Sequence, residues 1–240
     1  MVSQIAAVML ALSAARAALA AGPTPTPNAM LAGKEEKGDA AAAWAGRVQK
    51  AYEGVKDLQA GFSQDGFLKQ AGRSGPKSSG QVWIAKPGKM RWEFQKPDVK
   101  TFVSDGKTMW MYDGGENQVI VNEHMAETNS ITALNFLQGL GQLEKDFDVK
   151  LAPAPATAVN PTAQFLSLTP KNEGDVQLAE IVLAIDRKTS LAQEVFLVDQ
   201  LGNTTHIAFR DIQVNKTIPA KTFTFVAPKG AEVITPKMVQ

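Results

Sequence analysis

Cysteine is absent from this 240-residue chain. That excludes disulfides, thiolate nucleophiles, and zinc or iron–sulfur centres held by cysteine. Histidine is nearly absent, with His124 and His206 the only two. Neither has a partner at metal-ligating spacing, so no metal site is expected. A charge surplus is missing as well, since 25 basic residues face 24 acidic ones. Without a long-range field, nucleic acid and anionic membranes are not expected as main partners. No apolar run is long enough to cross a bilayer. Catalytic signatures are lacking too. Gly106-Lys107-Thr108 imitates the end of a phosphate loop, but the first glycine of that motif would fall on Thr101. Gly139-Leu140-Gly141 lacks a third glycine, and no Gly-x-Ser-x-Gly nucleophile elbow occurs. Asp105 and Asp113 read as turn residues and Glu93 as part of a solvated strand face. No enzyme activity and no cofactor are expected.

What the chain does have is apolar residues, 44% of the total, enough for a substantial core. Ile5 to Leu12 is an apolar run, and Ala18-Leu19-Ala20 is a small-x-small pattern. Together they predict a signal peptide over residues 1–20. With no cysteine after the cut, a lipid anchor is not expected there. Residues 21–40 read as a flexible leader rich in Pro, Thr and Gly. One domain is expected over 41–236, with a tail at 237–240.

Trp44, Val48, Tyr52 and Val55 recur at helical spacing, predicting a helix over Ala41–Val55. From Leu58 the period drops to two, with Leu58, Ala60 and Phe62 on one face. Gly72–Gly80 reads as a loop. Strands are then predicted over Gln81–Lys86, Lys89–Gln95, Lys100–Asp105, Thr108–Asp113 and Gln118–Asn122. After a break they resume at Phe147–Ala152, Gln164–Thr169, Leu178–Ile185, Leu191–Asp199, Thr204–Gln213 and Phe223–Val226. Short links imply antiparallel neighbours, and about eleven strands curl into a barrel or a strongly bent sheet. The break, Asn129–Leu143, reads as a helical insert that is apolar on more than one side, Leu134 and Leu137 included.

Within this pattern Val82 and Ile84 share a face, and Lys86 continues the same parity. Its ammonium either snorkels to water at the strand end or meets carbonyls at the mouth of an apolar pocket. Met90, Trp92 and Phe94 form another apolar face, as do Trp110 and Tyr112. Such faces fit a packed core or a soft cavity, and Met90, Met109 and Met111 could refit varied guests.

The run Lys86-Pro87-Gly88, Met90-Arg91-Trp92-Glu93-Phe94, Pro97-Asp98 and Val103-Ser104-Asp105-Gly106-Lys107-Thr108-Met109-Trp110 resembles the signature stretch of the periplasmic lipoprotein carrier family, LolA. Leu168-Thr169-Pro170-Lys171 and the closing Phe223-Thr224-Phe225-Val226-Ala227-Pro228-Lys229-Gly230 are similar to further pieces of that family. The likeness runs from about Trp44 to Val233. It implies an α+β, mainly β fold: an unclosed antiparallel barrel of about eleven strands, with helices forming a lid over an apolar cavity.

The implied activity is not catalysis. It is a periplasmic carrier that takes acylated lipoproteins from an ATP-driven inner-membrane release complex. It shields their acyl chains and delivers them to an outer-membrane receptor. The family's cavity positions fall on Met90, Trp92, Phe94, Leu58, Ala60 and Phe62, and its lid-holding basic position on Lys86. Val82, Ile84, Leu134 and Leu137 join the expected cavity by face and apolarity. A monomer is expected. The alternatives are a receptor-like protein at the outer membrane and a lipid- or glycolipid-binding sensor on the same half-barrel.

Overall fold

The computed structural model describes residues 38–123, 142–171 and 178–236, and its strands form one sheet. The expected signal peptide, nearly all of the leader, the tail, His124 and the insert up to residue 141 lie outside the described residues, and with them Leu134 and Leu137. Helix α1 (Gly38–Glu53) leads into β1 (Asp57–Leu68), β2 (Arg73–Ser74), β3 (Ser78–Ala85), β4 (Lys89–Lys96), β5 (Lys100–Asp105), β6 (Met109–Asp113) and β7 (Gln118–Asn122). A single helical turn, α2 (Leu143–Asp146), precedes β8 (Phe147–Ala152), β9 (Gln164–Pro170), β10 (Leu178–Ile185), β11 (Ala192–Asp199) and β12 (Thr204–Val214). A 3₁₀ turn, Ala220–Phe223, leads to β13 (Glu232–Ile234). Among the described residues, no helix is long and apolar enough to cross a membrane.

The sheet has 13 strands in the order β13-β7-β6-β5-β4-β3-β1-β12-β11-β10-β9-β8, with β2 beside β1. Its end strands do not pair with each other, so the barrel is unclosed. All pairs are antiparallel except β13, which runs parallel to β7. Two short strands, β2 and β13, add to the expected set. Arg73–Ser74 lies in the expected Gly72–Gly80 loop, and β3 already begins at Ser78, where its backbone pairs with Gln64. Such pairing uses backbone groups and leaves no side-chain alternation to read.

The expected strand Phe223–Val226 is not one. Pro219 and Pro228 bracket this stretch and donate no backbone hydrogen bond. Its aromatics pack on the sheet instead. Phe223 is buried, and Phe225 stacks on Trp110 with centroids 6.3 Å apart. Arg91 Nη1 donates to the Thr222 carbonyl at 3.3 Å and helps hold this strap. Truncating Phe225 to Ala should lower stability by about 1 kcal/mol, by loss of the stack. A denaturant midpoint checks it, and acyl binding should not change.

Helix α1 buries Ala41, Ala45, Val48 and Tyr52, one stripe at helical spacing. It ends two residues earlier than the spacing predicts, because the backbone tightens: Val55 N–H donates to the Tyr52 carbonyl at 3.1 Å. The helix packs over β8, β9 and α2. We call the side that carries α1 the inner face. There Val48, Tyr52 and Val55 join side chains from most strands in one cluster.

The outer face has its own, smaller cluster: Ala163, Phe165, Val182, Ala184 and Phe196, with Ala152 and Ala158 against it. Strand β10 is therefore buried on both sides, which explains its unbroken apolar run Ile181–Ile185. The expected Ala152–Pro161 loop is the outer cover, and Glu194 fastens it. That carboxylate is 2% exposed. It accepts from the backbone N–H of Val159 at 2.9 Å and of Asn160 at 2.8 Å, and from His206 Nε2 at 2.7 Å. His206 stacks on Phe196 at 4.2 Å, and its Nδ1 lies 3.7 Å from Asp65. The partners that His206 lacks nearby in sequence thus arrive from neighbouring strands.

Burial alone would raise the Glu194 carboxyl. The hydrogen bonds from His206, Val159 and Asn160 outweigh it and hold the group below the ordinary carboxylate range. A lowered folded pKa contributes stability that is complete above the unfolded value, about 4.3 for Glu, and fades as pH falls through the folded value. Glu194→Gln should flatten that acid limb. Glu194→Ala should cost about 3 kcal/mol and expose the 153–162 loop to protease. Urea unfolding between pH 3 and 7 tests both.

Candidate functional site

Cross-strand register places the eight expected cavity residues within the described chain in three adjacent rungs of the inner face. One rung reads Leu58, Ile84, Met90, Ser104, Met109. The next reads Ala60, Val82, Trp92, Phe102, Met111, Ile120. The third reads Phe62, Gly80, Phe94, Lys100, Asp113, with Phe209 beside Phe62. The first two rungs carry no titratable group. The third ends in an ion pair, Lys100 Nζ to Asp113 Oδ2 at 3.0 Å. Burial opposes ionisation of Asp113, but Lys100 and the Gly115 and Glu116 amides prevail and keep its carboxyl low. An apolar field with its charges at the border suits hydrocarbon and offers no acid–base pair.

Aromatic rings fill the middle of this field. Phe62 sits 4.8 Å from Trp92 and 4.9 Å from Phe94, centroid to centroid. Phe94 lies 5.9 Å from Phe102, and Trp92 lies 6.1 Å from Phe209. All eight expected residues are buried except Phe94, which is partly exposed. Phe102 and Phe209 belong to the same patch and were not expected there. Thr-Phe-Val at 101–103 is apolar at adjacent positions, so its face is ambiguous in sequence. Phe209 does alternate with Ile207, and that alternation could have found it. Trp110 and Tyr112 point to the outer face, where Phe225 covers them.

The Lys86–Asp105 signature builds a corner at the edge of the patch. Gly88 and Gly106, both at positive φ, bring two hairpin tips together. A Cβ on Gly88 would come within 3.3 Å of the Gly106 Cα. Ser104 Oγ stitches the tips, donating to the Gly88 carbonyl at 3.2 Å and accepting from the Gly106 N–H at 3.1 Å. Asp105 Oδ1 accepts from the Lys107 and Thr108 amides at 2.8 and 2.9 Å, as a turn residue should. Glu93, expected to be solvated, is half-buried and pairs with Arg91 Nε at 2.5 Å on the outer face.

Lys86 does not end in water. Its ammonium donates to the Tyr52 carbonyl in the last turn of α1, and that carbonyl also accepts from the Val55 N–H. Desolvation pulls the Lys86 pKa down, against the pull of nearby Glu53. Tyr52 itself reaches β11, its hydroxyl accepting from the Ala192 N–H at 3.2 Å, and burial pushes its pKa up to about 12. Lys86 thus ties the β3–β4 corner to the helix that crosses the inner face.

Comparison with known proteins agrees with this architecture. Residues 53–226 match the family described as outer membrane lipoprotein carrier protein LolA. An outer-membrane lipoprotein carrier protein from Dechloromonas aromatica is 35% identical over 80% of this chain and 89% of its own. One from Chromobacterium violaceum is 30% identical over 89% of this chain and 97% of its own. One from Cupriavidus pinatubonensis is 32% identical over 93% and 97%. A crystal structure of an uncharacterized conserved protein from Thermus thermophilus shares the fold, with a TM-score of 0.51 at 17% identity over 82% of this chain and 99% of its own. With its profile match over most of the described sheet and relatives of this identity spanning nearly their full length, the chain belongs to the outer-membrane lipoprotein carrier (LolA) family.

Proposed function

We propose that this protein is a periplasmic carrier of acylated lipoproteins, whose inner sheet face shields the acyl chains between the inner and outer membranes. One observation supports this most: two adjacent rungs that are apolar apart from Ser104 and have no ionisable member, lined by flexible Met90, Met109 and Met111. The inner-membrane release complex and the outer-membrane receptor are its proposed partners. The receptor-like and sensor readings are not favoured, since the relatives bear the carrier's name. The family is one of carriers, and the first two rungs of the patch hold no titratable group.

Magnitudes shape the mechanism. Burying a methylene is worth about 0.8 kcal/mol, so roughly 40 methylenes on three acyl chains could approach about 30 kcal/mol. Non-covalent affinity saturates near about 20 kcal/mol, and a carrier bound that tightly would not release its load. The carrier therefore covers its cargo in part and holds it loosely. Lys86 is the proposed latch, since its bond to α1 must break for the helix to move away from the corner. Lys86→Leu should change stability by no more than about 1 kcal/mol, while altering the rate of lipopeptide release several-fold. A release assay with a fluorescent lipopeptide checks this, and an unchanged rate would make Lys86 a structural cap only.

The direct test of the function is native mass spectrometry of protein purified from the periplasm. Bound lipoprotein or acyl lipid is the expected result. Depletion in the source cell should leave lipoproteins in the inner membrane. Normal sorting after depletion would contradict the proposal.

A further inference from the structure

The indole nitrogen of Trp92 is out of place in the patch just described. Trp92 is 2% exposed, and its Nε1–H is buried without a hydrogen-bond partner among the described residues. Its ring neighbours are Phe62, Phe94 and Phe209. Indole N–H is a donor only, so nothing but an acceptor can satisfy it. A buried donor left unpaired is unfavourable, and such groups in folded proteins call for an explanation. A phenyl ring at this position would fill much of the same space without the orphan.

The surroundings define the acceptor. A charged oxygen would be desolvated among four aromatic rings, which is strongly unfavourable. The fitting acceptor is neutral and arrives attached to hydrocarbon. A carbonyl that links an acyl chain to its head group has both properties. Ser78 Oγ, also buried without a partner among the described residues, cannot serve the same oxygen. It shares the inner face with Val82, which is opposite Trp92, but lies four residues away, about 13 Å along the strand.

We propose that the Trp92 indole N–H donates a hydrogen bond to the carbonyl oxygen of an acyl linkage, ester or amide, so that the site reads the linkage as well as the hydrocarbon. This rests on the carrier function proposed above. It places a polar reference point in the middle rung of an apolar surface. It also favours acylated molecules over free hydrocarbon or ether lipids of equal length.

The test uses the full chain and three synthetic cysteine lipopeptides of equal chain length. One carries two glyceryl esters, one carries two glyceryl ethers, and the third carries the two ethers plus an N-acyl amide. Wild type should bind the probe that supplies the carbonyl, the diester or the N-acyl diether, about tenfold more tightly than the diether, equivalent to about 1.4 kcal/mol. In Trp92→Phe the ratio should fall to about one. The indole ¹⁵N–¹H resonance of Trp92 in the wild type should move downfield with a carbonyl-bearing probe and not with the diether. This second reading holds even if the Phe variant folds poorly. Movement with the diester assigns the bond to an ester, and movement with the N-acyl diether alone assigns it to the amide. A carbonyl preference that is as large in Trp92→Phe as in wild type, or an unmoved Trp92 resonance with both carbonyl-bearing probes bound, overturns the proposal and leaves the carrier function standing. If no probe binds at all, both fall.

Discussion

Phe94→Asp should yield a folded protein that no longer retains an acylated lipopeptide. Phe94 is the one expected cavity residue in the described chain that is partly exposed, at the open side of the aromatic cluster. Losing a half-buried phenyl costs about 2 kcal/mol, a fraction of the roughly 5–15 kcal/mol that holds a domain together. For a chain of this size that is a fall in Tm of about 4–8 °C. The effect on binding is much larger, because acyl chains would have to desolvate a carboxylate to occupy the same surface. Affinity should drop at least about a hundredfold, or about 2.8 kcal/mol. Titration with a fluorescent lipopeptide, beside a thermal melt, separates the two effects. Retention of binding within about threefold, or 0.7 kcal/mol, would place the acyl chains elsewhere.

Gly80→Ala should abolish the fold. Gly80 lies in the third rung between Phe62 and Phe94, where no side chain fits. A Cβ there would sit 1.7 Å from the Glu93 carbonyl oxygen, 2.8 Å from its carbon and 2.9 Å from the Phe62 ring. Two of those atoms are backbone in the partner strand, so relief requires opening the β3–β4 pairing. That pairing holds the Lys86 corner and both apolar rungs in register. The loss should exceed about 4 kcal/mol, well outside the usual range for a single methyl group. Gly46 is the contrast, exposed in α1 with nothing within 4 Å of a built Cβ. Gly46→Ala should stabilise by about 0.5–1 kcal/mol through helix propensity. Expression yield and urea midpoints of the pair would show opposite signs. A Gly80→Ala protein with wild-type stability would mean that this contact is misjudged.

Much of the apolar patch was legible in sequence because a strand's two-residue period assigns faces unambiguously when apolar and polar residues alternate. Met90, Trp92 and Phe94 are such a case, as are Val82 and Ile84, and the register then brings their strands together. The signal weakens where both faces are buried. Thr101, Phe102 and Val103 are all buried, so Phe102 carried no facial signature. It disappears where burial comes from a distant segment. Phe223 and Phe225 alternate like a strand, yet Phe223 is buried in a 3₁₀ turn and Phe225 covers Trp110 and Tyr112 on the outer face. Nothing local distinguishes those two packings. The Glu194–His206–Asp65 group shows the same limit. Its members come from three strands, and only the fold makes them neighbours. Lys86 was legible as a charge ending an apolar row, but its partner, the Tyr52 carbonyl, is a backbone group and therefore invisible in residue identity.

The inner face is the proposed seat of the acyl chains, and brominated acyl chains test that most directly, because bromine quenches indole fluorescence only near contact. The chain has four tryptophans, Trp44, Trp83, Trp92 and Trp110. Trp92 belongs to the middle rung of the inner face, whereas Trp110 lies outside under Phe225. Two variants, each retaining one of these indoles and Phe at the other three positions, should be titrated with a lipopeptide brominated along its chains. The prediction is strong quenching of Trp92 and none of Trp110. Quenching of Trp110 with Trp92 untouched would contradict the account.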